Sequence, residues 1–470
     1  MLIDNSGNTK LISSVGGFQL GSYKAIENPE SKYDALRVLY SKKYNEEIFK
    51  FIEDFRQISN VDKPILLDLS YWPQGFVKFA VKNKNFSYNQ TIRLSTKKND
   101  ADVQISLENP DEEFKLGSRI FLDYGRIELL VQALENHHII CRVVQGGSLE
   151  PGMEIHVPET KKILSIFDLN FINISAYQKL EIDYIILPNI TSARQIAVAR
   201  KKLTSSGMHC PWLIIKIDSK LGYENIKEIL SEADGILISR KELSLTVEPA
   251  LVPVLCKEMI QEANKKAKLS FISSEMLSSM KKHPTPTRAE VSDIANAVVD
   301  GTHAVILSEE ISQSPYCEKA LEISRNTIKD VEKNLKTKQN WYESVFDFDN
   351  EMEAVAFHAY KTAKQLNAKA LVCITKEGNT ALRIASYCPP IPILAVTFIK
   401  SVERRLSLVR GVRCIRLEMD PRIDEILPIV SERIKKINWL QKDDVIVLVS
   451  VSISSLSKEA SNLFMVQKVS

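Results

Sequence analysis

Short apolar runs alternate with segments whose apolar positions recur at helical spacing through the first two thirds of the chain. This alternation is typical of parallel strands joined by crossover helices. Eight runs have the character of buried strands, and eight such strands predict a TIM barrel, in which functional side chains lie at the carboxyl ends of the strands. The predicted strands cover residues 11–15, 35–39, 65–69, 184–187, 213–217, 235–239, 269–273 and 304–307.

One of these repeats shows a complete helix followed by a strand. Prolines and threonines at residues 284–287 interrupt the preceding structure. Thr287 is a candidate helix cap, and Glu290 stands three residues later, as in a capping box. The apolar positions that follow recur at helical spacing, and Gly301 is placed to end the helix. The stretch therefore predicts one loop, helix and strand of an α/β repeat.

The pattern changes between the third and fourth predicted strands. From about Trp72 to Thr160 the apolar segments are short, alternate with polar positions and are separated by turns. Such a pattern predicts a small all-β insertion. We therefore assign residues 1–71 and 161–335 to a discontinuous barrel domain and residues 72–160 to the insertion.

A third domain is predicted after the barrel. Charged and amide residues are dense from Lys329 to Asn340, which is typical of a solvated connection between domains. Beyond it, helix and strand patterns alternate again, so residues 336–470 are predicted to form a C-terminal α/β domain. Its predicted helix covers residues 351–366, and its predicted strands cover residues 370–374, 393–396, 412–415 and 445–449.

The composition of the chain argues against some classes of binding partner. The 470 residues include 62 basic and 59 acidic side chains, a net charge of +3, so we expect no broad electrostatic surface for nucleic acid or anionic lipid. We also expect no leader, because the first residues are not a charged stretch followed by an apolar one, and no membrane span, because no apolar run approaches about 18 residues. The seven cysteines show no metal-binding spacing, as expected of reduced cytosolic thiols.

Candidate chemistry lies where three of the predicted barrel strands end. Lys216 and Asp218 end one strand, Glu242 follows the next, and Ser274 follows the third. Phosphoryl transfer between two anions needs a divalent cation on oxygen ligands and a positive side chain over the transferring group. The carboxylates of this set are suitable ligands, and the lysine is a suitable positive side chain. Taken singly, each residue is more often a solvated loop residue or part of an ion pair.

The C-terminal domain contains a second candidate. Residues 375–381 place a glycine and hydroxyl groups between a strand and a helix, which is the composition of a phosphate cradle. A plain strand-to-helix turn has the same composition, so both interpretations stay open.

Several segments resemble the pyruvate kinase family. Pro286-Thr287-Arg288-Ala289-Glu290 and the Asp, Ala-Asn-Ala-Val and Asp-Gly residues that follow it are similar to that family's hallmark barrel helix. The segment 146–158 looks like part of its lid domain, and the resemblance runs from about Asn8 to the end of the chain. It implies a TIM (β/α)8 barrel with an inserted small β-barrel lid and a C-terminal α/β domain.

The resemblance also implies a role for each candidate residue. Lys216 would neutralise the phosphoryl group, Asp218 and Glu242 would hold Mg²⁺ or Mn²⁺, and Ser274 would lie near the proton-accepting carbon of an enolate. Arg37 would bind phosphate, and Lys241 replaces a family glycine whose backbone approaches the substrate carboxylate, where it either crowds the site or adds a favourable charge. We expect a strand-end lysine such as Lys216 to face solvent.

The two metal carboxylates depart from the family in opposite senses. Asp218 is one methylene shorter than the family's glutamate, and Glu242 is one methylene longer than its aspartate. Each change moves a carboxylate by about 1.3 Å, which exceeds the tolerance of about 0.5 Å in a working site. A cation displaced toward Asp218 would satisfy both changes.

The family's potassium site is predicted to be lost. Leu39 replaces an asparagine and Leu69 a threonine, and neither leucine offers a side-chain oxygen to a hard cation. Ser41 and Asp68 remain as a remnant of that site. Any activity is therefore expected not to depend on K⁺.

The resemblance implies transfer of a phosphoryl group from phosphoenolpyruvate to ADP, the last step of glycolysis, with impaired or altered catalysis. The alternative is a catalytically silent paralogue that acts as a binding or subunit-partner protein, and a third candidate is another Mg²⁺-dependent barrel enzyme that forms an enolate. The implied partners are phosphoenolpyruvate, ADP or ATP, and further subunits, in a homo-oligomer such as a homotetramer or in a hetero-oligomer with paralogues. Residues 450–456 replace the family's glycine-rich effector loop, so its regulatory pocket is expected not to function.

Overall fold

The computed structural model describes residues 9–16, 33–40, 45–58, 63–69, 75–80, 85–96, 101–107, 114–123, 125–135, 138–151, 153–157, 180–204, 211–335, 351–418, 429, 432–433, 440–450 and 463–469. The predicted domain limits between residues 71 and 72 and between residues 160 and 161 fall outside these ranges, and residue 336, where the C-terminal domain is predicted to begin, does so too. Those limits stay predictions.

The first three strands in the described part of the chain are parallel and are neighbours in one sheet. Each is buried along its whole length, because barrel strands are covered by side chains inside and helices outside. Helix α1 (Asn45–Ile58) follows the second strand and turns Ile48 and Ile52 into the core. The strands are β1 (Lys10–Gly16), β2 (Ala35–Leu39) and β3 (Ile65–Asp68).

The predicted all-β insertion is confirmed after β3. Among the described residues, seven of its strands close into a small barrel in the order β10-β6-β7-β4-β12-β8-β9, and β5 pairs with β11 separately. A core of alternate apolar residues, such as Leu94, Ile105 and Leu129, fills it. The strands are β4 (Gly75–Ala80), β5 (Asn85–Phe86), β6 (Thr91–Ser95), β7 (Val103–Leu107), β8 (Arg119–Leu122), β9 (Ile127–Glu135), β10 (His138–Gln145), β11 (Gly147–Ser148) and β12 (Glu154–His156).

The chain then completes the large barrel. In the described part of the chain, eight parallel strands close in the order β1-β17-β16-β15-β14-β13-β3-β2, so the predicted TIM barrel and all of its predicted strands are confirmed. The five strands added here are β13 (Tyr184–Leu187), β14 (Trp212–Ile217), β15 (Gly235–Ser239), β16 (Leu269–Ser273) and β17 (Ala304–Ile306).

Helices connect these strands around the outside of the barrel. A 3₁₀ turn, Ser278–Lys281, follows β16 and precedes the hallmark helix. The helices are α2 (Ala193–Thr204), α3 (Lys220–Glu224), α4 (Ile226–Glu232), α5 (Arg240–Leu243), α6 (Val252–Lys265), α7 (Arg288–Asp300), α8 (Glu309–Ser312) and α9 (Cys317–Leu335).

The predicted capping box of α7 is present. The Glu290 backbone N–H donates to Thr287 Oγ1 at 3.3 Å, and the Thr287 backbone N–H donates to Glu290 Oε2 at 2.8 Å. Gly301 ends the helix in the left-handed conformation, with φ of 89°. The Glu290 carboxylate also accepts hydrogen bonds from the backbone and hydroxyl of Ser279, so it joins α7 to the 3₁₀ turn before it.

The C-terminal domain is an α/β sheet, as predicted. Its described strands lie in the order β20-β19-β18-β21-β22. Four of them match the predicted strands, and the fifth, an antiparallel edge strand, was missed. The elements are α10 (Glu351–Gln365), β18 (Ala370–Ile374), α11 (Asn379–Ser386), β19 (Ile393–Thr397), α12 (Lys400–Leu406), β20 (Val412–Arg416), β21 (Val445–Ser450) and β22 (Leu463–Lys468).

Helix α12 attaches this domain to the amino-terminal end of the barrel. Arg404 pairs with Asp183 and Glu181, which precede β13. The Tyr184 hydroxyl donates to the Arg405 carbonyl, and the Arg405 guanidinium lies 5.3 Å from the ring centre of Trp212. The C-terminal domain therefore packs against the end of the barrel opposite to the carboxyl ends of its strands. No helix within the described ranges is long and apolar enough to cross a membrane.

Candidate functional site

Three adjacent barrel strands bring the predicted site residues to one mouth of the barrel. β14 pairs with β15, and β15 pairs with β16, all in parallel, so their carboxyl ends lie side by side. Lys216 lies near the end of β14, with Asp218 directly after that strand. Glu242 lies in the short helix α5 that follows β15, and Ser274 follows β16.

Lys216 and Glu242 form an ion pair at this mouth. Lys216 Nζ donates to Glu242 Oε1 at 2.8 Å, and the two side chains are 9% and 23% exposed. The expectation that Lys216 faces solvent is therefore wrong. Side chains alternate between the inside and the outside of a barrel strand, and Lys216 is on the inner side, where Glu242 of the helix after the next strand pairs with it.

The charges of this pair stabilise each other. Burial alone would lower the pKa of Lys216, but the carboxylates of Glu242, Asp218 and Asp68 outweigh it and raise that pKa. Burial would likewise raise the pKa of Glu242, yet the Lys216 ammonium and the hydrogen bonds from Lys216 and Ser239 lower it to about 2. Both groups are therefore charged at neutral pH.

Asp218 differs from Glu242 in its electrostatic environment. Its carboxylate accepts a hydrogen bond from the Asn189 backbone N–H at 3.3 Å. Burial and the negative charge of Glu242 raise its pKa to about 6, although Lys216 acts in the opposite direction. The two carboxylates thus titrate in different pH ranges.

Ser274 lies in a polar network that extends to α7. Its hydroxyl lies 3.2 Å from Ser239 Oγ, and its carbonyl accepts a hydrogen bond of 2.8 Å from Arg240 Nη2. Arg240 Nη1 lies 3.1 Å from an Asp293 carboxylate oxygen on α7. The hallmark helix is therefore tied to the site through Arg240.

Ser239 and Arg240 are the residues of this network that sequence reasoning missed. The Ser239 hydroxyl donates to Glu242 Oε2. The signal was available in the sequence, because Ser239 ends a predicted strand three positions before the candidate ligand Glu242. A buried hydroxyl next to a carboxylate needs a partner.

Arg37 and Asp68 are engaged with each other on β2 and β3. Arg37 Nε donates to Asp68 Oδ2 at 2.6 Å, and Arg37 Nη1 lies 3.5 Å from Ser14 Oγ. Asp68 is fully buried. The phosphate-binding role predicted for Arg37 would therefore require it to serve an anion while paired with Asp68.

The sequence also predicted roles or losses at Leu39, Leu69, Ser41 and Lys241. Leu39 is buried and Leu69 packs against the core, as expected of apolar side chains that offer no oxygen ligand to a cation. Ser41 lies outside the described residues. Lys241 is half-buried in the first turn of α5, where its carbonyl accepts a hydrogen bond of 2.7 Å from Ser244 Oγ.

The donors at the barrel mouth fit Mg²⁺ or Mn²⁺ as a two-carboxylate site. Among the described residues, no group of three or more His, Cys, Asp and Glu side chains is arranged to hold a metal ion. Mg²⁺ commonly binds proteins through one or two carboxylates and completes its shell with water and substrate phosphates. Asp218 and Glu242 supply those two carboxylates, and Lys216 already interacts electrostatically with both.

The candidate phosphate cradle of the C-terminal domain is a compact turn between β18 and α11. The Gly378 backbone N–H donates to Thr375 Oγ1 at 2.9 Å, and Gly378 is left-handed, with φ of 101°. These contacts fit a plain turn as well as a cradle. Residues 451–456 of the predicted effector-loop replacement lie outside the described residues, so that expectation stays a prediction.

Comparisons with known proteins agree with this architecture. Residues 74–321 match the family model of the pyruvate kinase barrel domain, and residues 353–466 match that of the pyruvate kinase alpha/beta domain. The chain is 29% identical to a pyruvate kinase of Clostridium perfringens, over 78% of each chain, and 27% identical to one of Thermotoga maritima, over 94% of this chain and 96% of that protein. A crystal structure of a Cryptosporidium parvum pyruvate kinase superposes with a TM-score of 0.82 at 23% identity, covering 100% of this chain and 98% of that one, which shows the shared fold.

Proposed function

Because the chain belongs to the pyruvate kinase family, we propose that its barrel transfers the phosphoryl group of phosphoenolpyruvate to ADP, giving pyruvate and ATP as in the last step of glycolysis. The observation that carries this proposal is the Lys216–Glu242 pair with Asp218 beside it at the carboxyl ends of the barrel strands. These side chains supply the cation and the carboxylates that phosphoryl transfer requires.

Each residue has a proposed part in that reaction. Asp218 and Glu242 hold Mg²⁺ or Mn²⁺, which when bound neutralises charge on the phosphoryl oxygens. Lys216 turns its ammonium toward the transferring phosphoryl group, and Arg37 and Lys241 help to bind the anionic substrate. Ser274 lies on the side of the enolate carbon and orients the water that protonates it.

We propose that catalysis is altered and independent of K⁺. The side chains of Leu39 and Leu69 carry no oxygen, and Asp68, the described part of the former potassium site, is committed to Arg37. Exchange of K⁺ for a large organic cation at constant ionic strength should leave the rate nearly unchanged. A collapse of the rate on this exchange would show that a monovalent site exists elsewhere.

A specific observation also favours the silent paralogue as a second candidate function. Lys216 pairs with Glu242, and Arg37 pairs with Asp68, so the opposite charges at this mouth neutralise each other within the protein. Such a mouth offers less net positive charge to an anionic substrate.

One experiment separates these two candidates. Pyruvate formation from phosphoenolpyruvate and ADP is followed in a coupled assay with Mg²⁺, and thermal unfolding is followed with and without phosphoenolpyruvate and Mg²⁺. Turnover and a ligand-dependent rise in the unfolding temperature support the enzyme. The absence of both would leave the binding or subunit-partner role.

The proposal also covers the subunit partners of the protein and its location in the cell. We place the protein in the cytoplasm as a homo-oligomer or as a hetero-oligomer with paralogues. Free thiols support a reducing compartment: within the described residues, Cys141, Cys256, Cys317, Cys373, Cys388 and Cys414 form no disulfide. The barrel, insertion and C-terminal limits given above remain the proposed domain limits.

A further inference from the structure

Ser239 uses its hydroxyl in an unusual way for a residue at the start of a helix. It occupies the N-cap position of α5, where serine commonly accepts a hydrogen bond from a backbone N–H of the first turn. No such side-chain cap is formed here. The hydroxyl donates instead to the Glu242 carboxylate three residues later. The helix thus gives up its cap, and the carboxylate gains a second fixed hydrogen bond.

The two oxygen atoms of Glu242 therefore have different partners. Oε1 accepts from Lys216 Nζ at 2.8 Å, and Oε2 accepts from the Ser239 hydroxyl. A glutamate has one more rotatable bond than an aspartate, so it needs an additional contact to hold one orientation. Ser239, which is buried, supplies that contact.

The hydrogen bond from Ser239 to Glu242 also determines which hydroxyl donates in the contact between Ser239 and Ser274. A serine hydroxyl has one proton, and an ionised carboxylate only accepts, so the Ser239 proton is committed to Glu242. Ser239 Oγ must then be the acceptor in its 3.2 Å contact with Ser274 Oγ. The Ser274 hydroxyl then donates to Ser239, so toward any other partner it acts as an acceptor.

We propose that Ser239 is a positioning residue that compensates for the longer Glu242 and makes Ser274 a hydrogen-bond acceptor toward the substrate side. This inference rests on the proposed function, because it concerns the carboxylate that holds the cation and the hydroxyl that orients water.

The test is a cycle of S239A, E242D and the double variant, with Mn²⁺ affinity measured by calorimetry. Loss of a residue that orients a metal ligand typically weakens binding by about 10- to 100-fold, so S239A should lose at least about tenfold. If Ser239 compensates for the longer side chain, the double variant should bind no more weakly than the worse single variant. Should S239A fail to fold, S239C, which keeps the size but is a weak donor, must show the same loss.

A second readout isolates Ser274. The methyl protons of pyruvate should exchange with deuterated water in the presence of the protein and Mn²⁺, because exchange is the reverse of enolate protonation followed by re-protonation. S239A frees the Ser274 proton to turn toward the mouth, so this exchange should slow, and S239T, which keeps a hydroxyl, should restore it. A purely structural role of Ser239 would not separate S239A from S239T while both remain folded.

The matched control is S244A on the same helix. The Ser244 hydroxyl donates to the Lys241 carbonyl and not to a carboxylate, so its removal should leave Mn²⁺ affinity and methyl exchange unchanged. Additive losses in the cycle, or an equal loss in S244A, would overturn the inference while leaving the proposed function intact. No Mn²⁺ binding by the wild-type protein would overturn the proposed function itself, together with the inference that depends on it.

Discussion

Lys216 is held between two opposing effects, the cost of burying an ammonium group and the attraction of nearby carboxylates. Its side chain is 9% exposed, yet its pKa is raised because Glu242, Asp218 and Asp68 outweigh burial. A buried pair of this kind adds little net stability compared with apolar residues, but removal of one partner leaves an uncompensated charge. The same residue is therefore expected to matter for both activity and folding.

Replacement of Lys216 by methionine tests these two roles together. Turnover should fall by about 10²- to 10³-fold, because a positioned positive charge for the developing phosphoryl charge is lost. The free energy of unfolding should also fall, by about 3 kcal/mol, because Glu242 stays buried without its ammonium partner. A coupled assay and urea unfolding measure the two effects.

The double variant K216M/E242Q separates the effect on turnover from the effect on stability. It removes both charges, so stability should recover while turnover stays low. Wild-type turnover in K216M would exclude Lys216 from the reaction, and unchanged stability in K216M would contradict the pairing with Glu242.

Asp218 predicts a pH dependence of metal binding. Its pKa is raised to about 6, mainly by burial, so its carboxyl group is protonated below that pH and a proton competes with the cation. Mn²⁺ affinity should be constant above about pH 7 and fall by about tenfold per pH unit below 6. D218N should bind weakly and lose this dependence. A wild-type affinity that is flat between pH 5 and 7 would exclude Asp218 as the titrating ligand.

At the scale of elements, strands were predictable and their side-chain partners were not. The apolar runs of the barrel strands gave correct boundaries because each run is buried on both faces and bounded by polar residues. β22 was missed, since Phe464, Met465 and Val466 are all partly exposed at a sheet edge and show no alternation.

The positions of the candidate residues at the strand ends were predictable, and the contacts of their side chains were not. The strand-end positions of Lys216, Asp218 and Glu242 follow from the barrel. The burial of Lys216 depends on Glu242, 26 positions away, and the pairing of Arg37 depends on Asp68, 31 positions away. Such distances along the chain are set by strand register, which short-range sequence patterns do not encode.

The capping box of α7 carries a further prediction. Burial alone would raise the pKa of Glu290, but hydrogen bonds from Ser279 and Thr287 lower it below its ordinary 4.5. Its stabilising contribution is therefore complete above about pH 4.5 and is lost as the pH falls through the lower native value. E290A should lower the free energy of unfolding at pH 7 by about 2 kcal/mol, since backbone and hydroxyl donors lose their acceptor.

T287A removes the acceptor of the Glu290 backbone N–H and the hydroxyl that donates to Glu290 Oε2, and it should cost about 1 kcal/mol. The control is T285A, an exposed threonine of the same loop, which should have no effect. Urea unfolding at pH 7 and at pH 4 measures all three variants. An E290A loss that persists unchanged at the lowest pH at which the protein stays folded would contradict the role of its charge.

At the scale of the whole molecule, the barrel and the C-terminal domain are joined through buried charge. Asp183 is fully buried and pairs with Arg56 of α1 at 2.9 Å and with Arg404 of α12 at 2.8 Å. It also accepts the Ile65 backbone N–H at 2.9 Å. One carboxylate thus connects β3, α1 and the C-terminal domain at the amino-terminal end of the barrel.

These ion pairs of Asp183 predict that the barrel and the C-terminal domain unfold in one transition, and that Arg404 is the residue that couples them. R404A leaves Asp183 buried with Arg56 and the Ile65 backbone N–H, so the free energy of unfolding should fall by about 2 kcal/mol, the value of a hydrogen bond between charged groups. The single calorimetric transition of the wild type should then split into two, because the C-terminal domain loses its charged attachment to the barrel.

The control is K400A on the same helix, whose side chain is 50% exposed and lies 3.9 Å from Glu181. An exposed pair of this length contributes at most about 1 kcal/mol, so K400A should keep one transition. If R404A also unfolds in one transition with the stability of K400A, the domains are held together by apolar contacts around Trp212 and not by the Asp183 pairs.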